Sequence, residues 1–140
     1  MKKYFPLLAG LLFSFQSLSA SAAEPVVTVS GVEWYEQSCG GSNIRVTRVD
    51  GKIVAVDAYA ERSFDRKEWQ CHYVDGRVNS VLYTHYKLNR KWAEEGGPYA
   101  QKFQCDRVLV FPIKDHKLDN VPKELRDDLI DVLTRVQKSK

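Results

Sequence analysis

The sequence predicts an α+β fold: a twisted antiparallel β-meander of about five strands, with a C-terminal amphipathic helix packed on one face. Three observations predict it. The phrase VDGKIVAV at residues 49–56 returns as VDGRVNSV at residues 74–81, with Asp-Gly at the centre of each copy. Residues 103–112 form a further strand-like run, and Leu125, Leu129, Val132, Leu133 and Val136 recur at helical spacing. The chain has 140 residues, of which 44% are hydrophobic, enough for a single core.

The N-terminus reads as an export signal. Lys2 and Lys3 precede an apolar run from Tyr4 to Phe15, and Ala20-Ser21-Ala22 supplies the small residues of a cleavage site. That run is shorter than the roughly 20 residues a membrane helix needs. Residues 1–22 are therefore expected to be removed, leaving residues 23–140 as one domain. Loss of Lys2 and Lys3 from the 21 basic residues leaves 19 against 18 acidic ones. A nearly neutral chain without a basic stripe argues against nucleic acid as a partner. No cysteine follows the cleavage site directly, so lipidation is not expected, and no second apolar stretch is long enough to anchor the chain.

The first candidate element after the signal is Glu33-Trp34-Tyr35-Glu36, either an edge strand or an aromatic contact segment between acids. Asp-Gly between β-branched residues is the strongest short signal for a hairpin, because both central residues of a type I′ turn need positive φ. Asp50-Gly51 joins strands near 43–49 and 52–60, and Asp75-Gly76 joins strands near 67–74 and 77–87. An uninterrupted register pairs Tyr73 with Val78, Cys71 with Ser80 and Trp69 with Leu82. It places Trp69, Cys71, Tyr73, Val78 and Leu82 on one face with Ile44, Val46, Ile53 and Ala55. His72, Asn79, Val81, Tyr83 and His85 fall on the other. Val54, Val56, Ala58 and Ala60 form a strip of small residues on the reverse side, where a helix could approach closely.

Residues 89–101, NRKWAEEGGPYAQ, read as a long connection punctuated by Gly96-Gly97-Pro98. The strand at 103–112 is apolar on both sides from Val108 to Phe111, which predicts a central position. Asp119-Asn120 is placed to cap the final helix, with Pro122 in its first turn.

Cys39, Cys71 and Cys105 are the three cysteines. In an exported chain they predict one disulfide of unassigned pairing and one leftover thiol, which could bridge two chains into a homodimer. They lie 32 and 34 residues apart with no CxxC, so a metal cluster is not expected. No hydrolase, metalloprotease, phosphate-loop or dinucleotide motif occurs. Cys71 and His72 are neighbours in a strand and point to opposite faces, so they form no catalytic dyad. No catalytic residue, metal ligand or cofactor is expected.

The expected activity is therefore binding. Trp92, Glu94, Glu95 and Tyr99 in the 89–101 segment, and Trp34 with Glu36 earlier, are the candidate contact residues for another protein. In size and general make-up the chain resembles the small periplasmic inhibitors of lysozyme, and the immunity proteins that protect bacteria from wall-degrading toxins. That resemblance carries over no residue. It implies a periplasmic inhibitor whose partner is a toxin or cell-wall hydrolase. A small-molecule or peptide binder, a structural subunit of an envelope assembly and, last, a hydrolase without a recognised motif that uses His72, His85 or Glu94 are the alternatives.

Overall fold

The computed structural model describes residues 23–34 and 41–139. The export signal, Glu36 and Cys39 lie outside the described residues. Six strands follow one another in space as they do in sequence, all antiparallel: β1 Val27–Val32, β2 Gly41–Val49, β3 Lys52–Glu61, β4 Asp65–Val74, β5 Arg77–Leu88 and β6 Phe103–Pro112. A short helix α1, Arg90–Glu95, and a 3₁₀ turn at Tyr99–Gln101 connect β5 to β6, and the helix α2, Lys123–Lys138, ends the chain.

Both Asp-Gly pairs stand at hairpin turns. Asp50 and Gly51 have φ of 50° and 80°, and Asp75 and Gly76 have 53° and 76°. A Cβ added at Gly51 or Gly76 would meet no atom within 4 Å, so any cost of a side chain there comes from the backbone alone. Gly51→Ala and Gly76→Ala should each destabilise the fold by about 1 kcal/mol, read from the urea midpoint.

The repeat encodes more than a turn. In each hairpin the register slips just past the turn, leaving Val54 unpaired in β3 and Asn79 unpaired in β5. These β-bulges occupy equivalent places in the two copies of the phrase. Because side chains alternate with period 2, one extra residue reverses every side chain on the far side of it. Trp69 therefore pairs with Tyr83 and Cys71 with Val81, not with Leu82 and Ser80. Val81 and Tyr83 are buried, while Leu82 turns to the other side. Ala55 likewise leaves the face of Ile44 and Val46, and Val56, Ala58 and Ala60 join it.

The sheet thus has one buried face. Ile44, Ala58, Trp69 and Tyr83 form one row across it, and Val46, Val56, Cys71, Val81 and Phe111 form the next. The strip of small residues lies on the same face as Trp69, and α2 covers both. Leu125, Leu129, Val132 and Val136 of α2 are buried in that core, each contributing about 2 kcal/mol of apolar burial. Leu133 is only partly buried. Asp128 of α2 pairs with the buried Lys67 of β4, which fixes the helix along the sheet.

Three further expectations are corrected. The sheet has six strands, because the alternating segment Val27–Val32 pairs with β2 as an outer strand. β6 is the opposite edge rather than a central strand: a meander with short connections has nowhere else to put its last strand. Its Val108 and Val110 are accordingly 53% and 66% exposed. Asn120 does not cap α2. Its side-chain amide donates to the Pro112 carbonyl at 2.6 Å, and Pro122 stands at the N-cap. Among the described residues no helix is long and apolar enough to cross a membrane.

Candidate functional site

The face of the sheet away from α2 is uncovered by the described residues, and its side chains are in rows that the strand pairing dictates. Asn43, Tyr59, Glu68, Thr84 and Val108 form one row, and Arg45, Asp57, Gln70, Leu82 and Val110 the next. Arg66 lies near the end of this face that is away from the hairpin turns, opposite Glu61. Its Nε donates to Glu68 at 2.8 Å and its Nη1 to Glu61 at 3.2 Å, while its guanidinium carbon stands 4.2 Å above the Tyr59 ring. Arg45 pairs with Asp57 at 3.3 Å. Between them is a shallow depression of about 310 Å³ over β2, β3 and β4, and the exposed Val108 and Val110 lie on the same face beyond β5. The face thus combines a planar cation stacked on an aromatic ring and held by two carboxylates with apolar side chains exposed along its β6 edge.

The segment expected as a loop caps one end of this face. Asn89 begins α1, its side-chain oxygen accepting from the Lys91 amide at 3.1 Å, and Gly96 at φ 72° ends it. Trp92 is half-buried and folds back on its own segment, with its indole N–H donating to the carbonyls of Gly97 and Pro98 at 3.1 and 3.0 Å. Lys102 lies 5.5, 5.7 and 5.1 Å from the rings of Trp92, Tyr99 and Phe103. The cap is tied to the sheet through Glu61, which accepts hydrogen bonds from the Tyr99 hydroxyl and from Lys102. Tyr99 is nevertheless 60% exposed, and Glu94 and Glu95 project into solvent.

Trp92, Glu94, Glu95 and Tyr99 are therefore brought together beside the open face. Trp34 is not among them. It is 3% exposed on the α2 side, donates to Asp131 at 2.9 Å, and has the Lys67 ammonium 5.6 Å from its ring. Sequence reasoning missed Tyr59, Arg66, Glu68, Val108 and Val110. The polar alternation Arg66-Glu68-Gln70-His72 was present in the sequence, but only the bulged register shows what stands beside it.

Burial pushes the Glu61 carboxyl up, but the hydrogen bonds from Tyr99 and Lys102 and the charges of Lys102 and Arg66 outweigh it, holding it below its ordinary 4.5. A folded-state value below the unfolded one contributes stability at higher pH, and that contribution is lost as the pH falls through the folded value. The protection factors of amides in residues 90–102, exchange being compared with the intrinsic rate at the same pH, should therefore fall as the pH drops below the ordinary carboxylate range, while the β3–β4 ladder remains protected. Glu61→Gln should make exchange in this segment faster at neutral pH and remove the acid step.

The histidines occupy three separate places. His72 is exposed on the open face. His85, reversed by the Asn79 bulge, lies on the other face between Asp65 and Asp106, each 3.1 Å from a ring nitrogen. His116 contacts Arg77. The expected sharing of one face by His72 and His85 is thereby overturned. Asp106 is the extra residue of a third bulge, and its carboxyl is held low by Lys87 first and then by His85. Among the described residues no group of three His, Cys, Asp or Glu side chains is placed to hold a metal ion.

Cys71 and Cys105 are free thiols. Burial pushes the Cys71 thiol up to about 12, which makes it unreactive. Cys71 lies opposite Val81 and Cys105 opposite Tyr86, so their α-carbons are about 19 Å apart at ~3.4 Å per residue and ~4.8 Å per strand. A disulfide needs less than about 7 Å, so this pairing is excluded.

No protein-family profile matches the chain, and no curated protein or solved structure matches it significantly.

Proposed function

We propose that the chain is an exported protein-binding protein of the bacterial cell envelope, an inhibitor or immunity protein that neutralises a toxin or wall-degrading enzyme through the open face of its sheet and the adjoining cap. The observation that carries this reading is the state of β6. The fold gives a core to only one side of that strand, yet the other side presents Val108 and Val110 to solvent on the same face as the Arg66–Tyr59 pair, across β5 from it. Surfaces that combine exposed aliphatic residues, an aromatic ring and a fixed arginine are where protein interfaces concentrate their binding energy. The export signal expected at residues 1–22 and the exposed carboxylates of Glu94 and Glu95 support the same reading, since acidic groups at the rim steer a basic partner cleft into place.

The test is capture of partners from an envelope lysate on the tagged chain of residues 23–140, followed by mass spectrometry and affinity measurement on the purified pair. A single saturable wall-degrading partner is the expected result. The double variant Glu94→Ala/Glu95→Ala should weaken its binding by more than about 2 kcal/mol if these carboxylates enter the partner's active-site cleft. An unchanged affinity removes that role from the pair and leaves the binding to the open face.

A further inference from the structure

A second concavity lies on the opposite side of the molecule, between the C-terminal half of α2 and the turn ends of the two hairpins. It is an apolar groove of about 330 Å³, lined by Ile53, Val78, Leu118 and Leu133, with Val136 at its base. The bulges create it. By absorbing one residue each, they put Ile53 on the α2 side together with Val56, and Val78 together with Val81. There both residues touch the core without being enclosed by it. The volume lies at the lower end of the range for small-molecule sites, about 300–1,000 Å³.

Among the described residues, Arg77 is the one Lys, Arg, Asp or Glu side chain lining the groove, and Asp75 and Asp115 line the adjoining depression on the far side of Arg77 and His116. Arg77 Nη1 donates to His116 Nε2 at 2.8 Å. An imidazole supplies no negative charge, so this contact holds the guanidinium without neutralising it. Arg77 forms no salt bridge among the described residues. Tyr73 stands beside it, its hydroxyl kept protonated by burial, and so available as a donor.

His116 occupies an unfavourable backbone position. Asp115 and His116 have φ of 53° and 60° in a tight turn closed by the Lys114–Lys117 bridge. Asp-Gly serves the two hairpin turns that have the same pair of positive φ angles. A histidine in place of that glycine is strained, and what the strain provides is an imidazole fixed against Arg77 at the groove's rim.

We propose that this groove binds a singly charged anionic amphiphile, an alkyl carboxylate whose chain lies on Ile53, Val78 and Leu133 and whose head meets Arg77. An apolar trough beside a single cation without a carboxylate partner complements that ligand in shape and charge, and complements neither a cationic nor a neutral amphiphile as well.

Decanoate, kept below its micelle concentration, is the probe, titrated into isotopically labelled chain of residues 23–140 and followed by amide and methyl NMR. Saturable shifts centred on Ile53, Val78, Leu118 and Leu133 are expected, with decanoate bound about tenfold more tightly than decanol or decyltrimethylammonium. Arg77→Gln, an exposed substitution, should reduce decanoate binding to the level of decanol and leave decanol unchanged. His116→Gly should raise the melting temperature while weakening decanoate, two effects of opposite sign that a purely structural histidine would not produce. Equal binding of the three probes, shifts elsewhere on the molecule, or full decanoate affinity in Arg77→Gln would overturn the proposal.

Discussion

Trp69→Ala should cost about 3–5 kcal/mol of folding stability, a large part of the roughly 5–15 kcal/mol that holds a domain of this size together. Trp69 is fully buried, between Ala58 and Tyr83 in the row at the middle of the covered face, with its ring centroid 4.5 Å from that of Tyr83. Small neighbours make room for the indole and cannot expand to fill the space it leaves, so the cavity term should be near its upper range. Trp69→Phe should behave differently. The indole N–H has no hydrogen-bond partner among the described residues, and a buried unmet donor costs about 1–3 kcal/mol. Phenylalanine removes that donor along with part of the ring, so the two effects offset and the net loss should stay below about 1.5 kcal/mol. Urea unfolding of the three chains measures both numbers. Equal losses for Ala and Phe would mean that the indole ring, not the filled volume, is what the core requires.

Much of the fold was legible in the sequence because it is local. Asp50-Gly51 and Asp75-Gly76 demand positive φ and therefore a turn, and the spacing of Leu125, Leu129, Val132 and Val136 demands a helix with one apolar side. What was not legible is where pairing slips. Nothing in Lys52-Ile53-Val54 or Val78-Asn79-Ser80 marks which residue will drop out of the ladder, yet that residue reverses the strand beyond it. The faces of Val81, Tyr83, Leu82 and His85 were consequently exchanged. β6 misled for another reason. Apolar residues on both sides of a strand signal burial on both sides, but a sequence does not say whether the second cover belongs to the same chain.

The candidate site divides along the same line. Trp92, Glu94, Glu95 and Tyr99 were legible because glycine and proline set them apart, and the structure groups them at one end of the open face. Trp34 carries the same aromatic-between-acids signal, and its indole is enclosed against α2 because Asp131 offers its N–H a partner there. Arg66 and Tyr59 come from neighbouring strands and meet only through the β3–β4 register.

Binding through the open face carries the second large expected effect, because a charge placed in the middle of an apolar contact has no water and no counter-ion once the partner closes over it. Val110→Asp places one there without touching the core, since the side chain is 66% exposed in the free protein. Ile130→Asp makes a similar chemical change on the outer surface of α2, where Ile130 is 45% exposed, and serves as its control. Both chains should fold with stabilities within about 0.5 kcal/mol of the parent. The decisive measurement is the affinity of the captured partner for these two variants side by side. The open-face account predicts that Val110→Asp loses more than about 2 kcal/mol of binding, at least thirtyfold, while Ile130→Asp binds as the parent does. Loss of binding in Ile130→Asp with full retention in Val110→Asp would contradict it and place the partner on the helix.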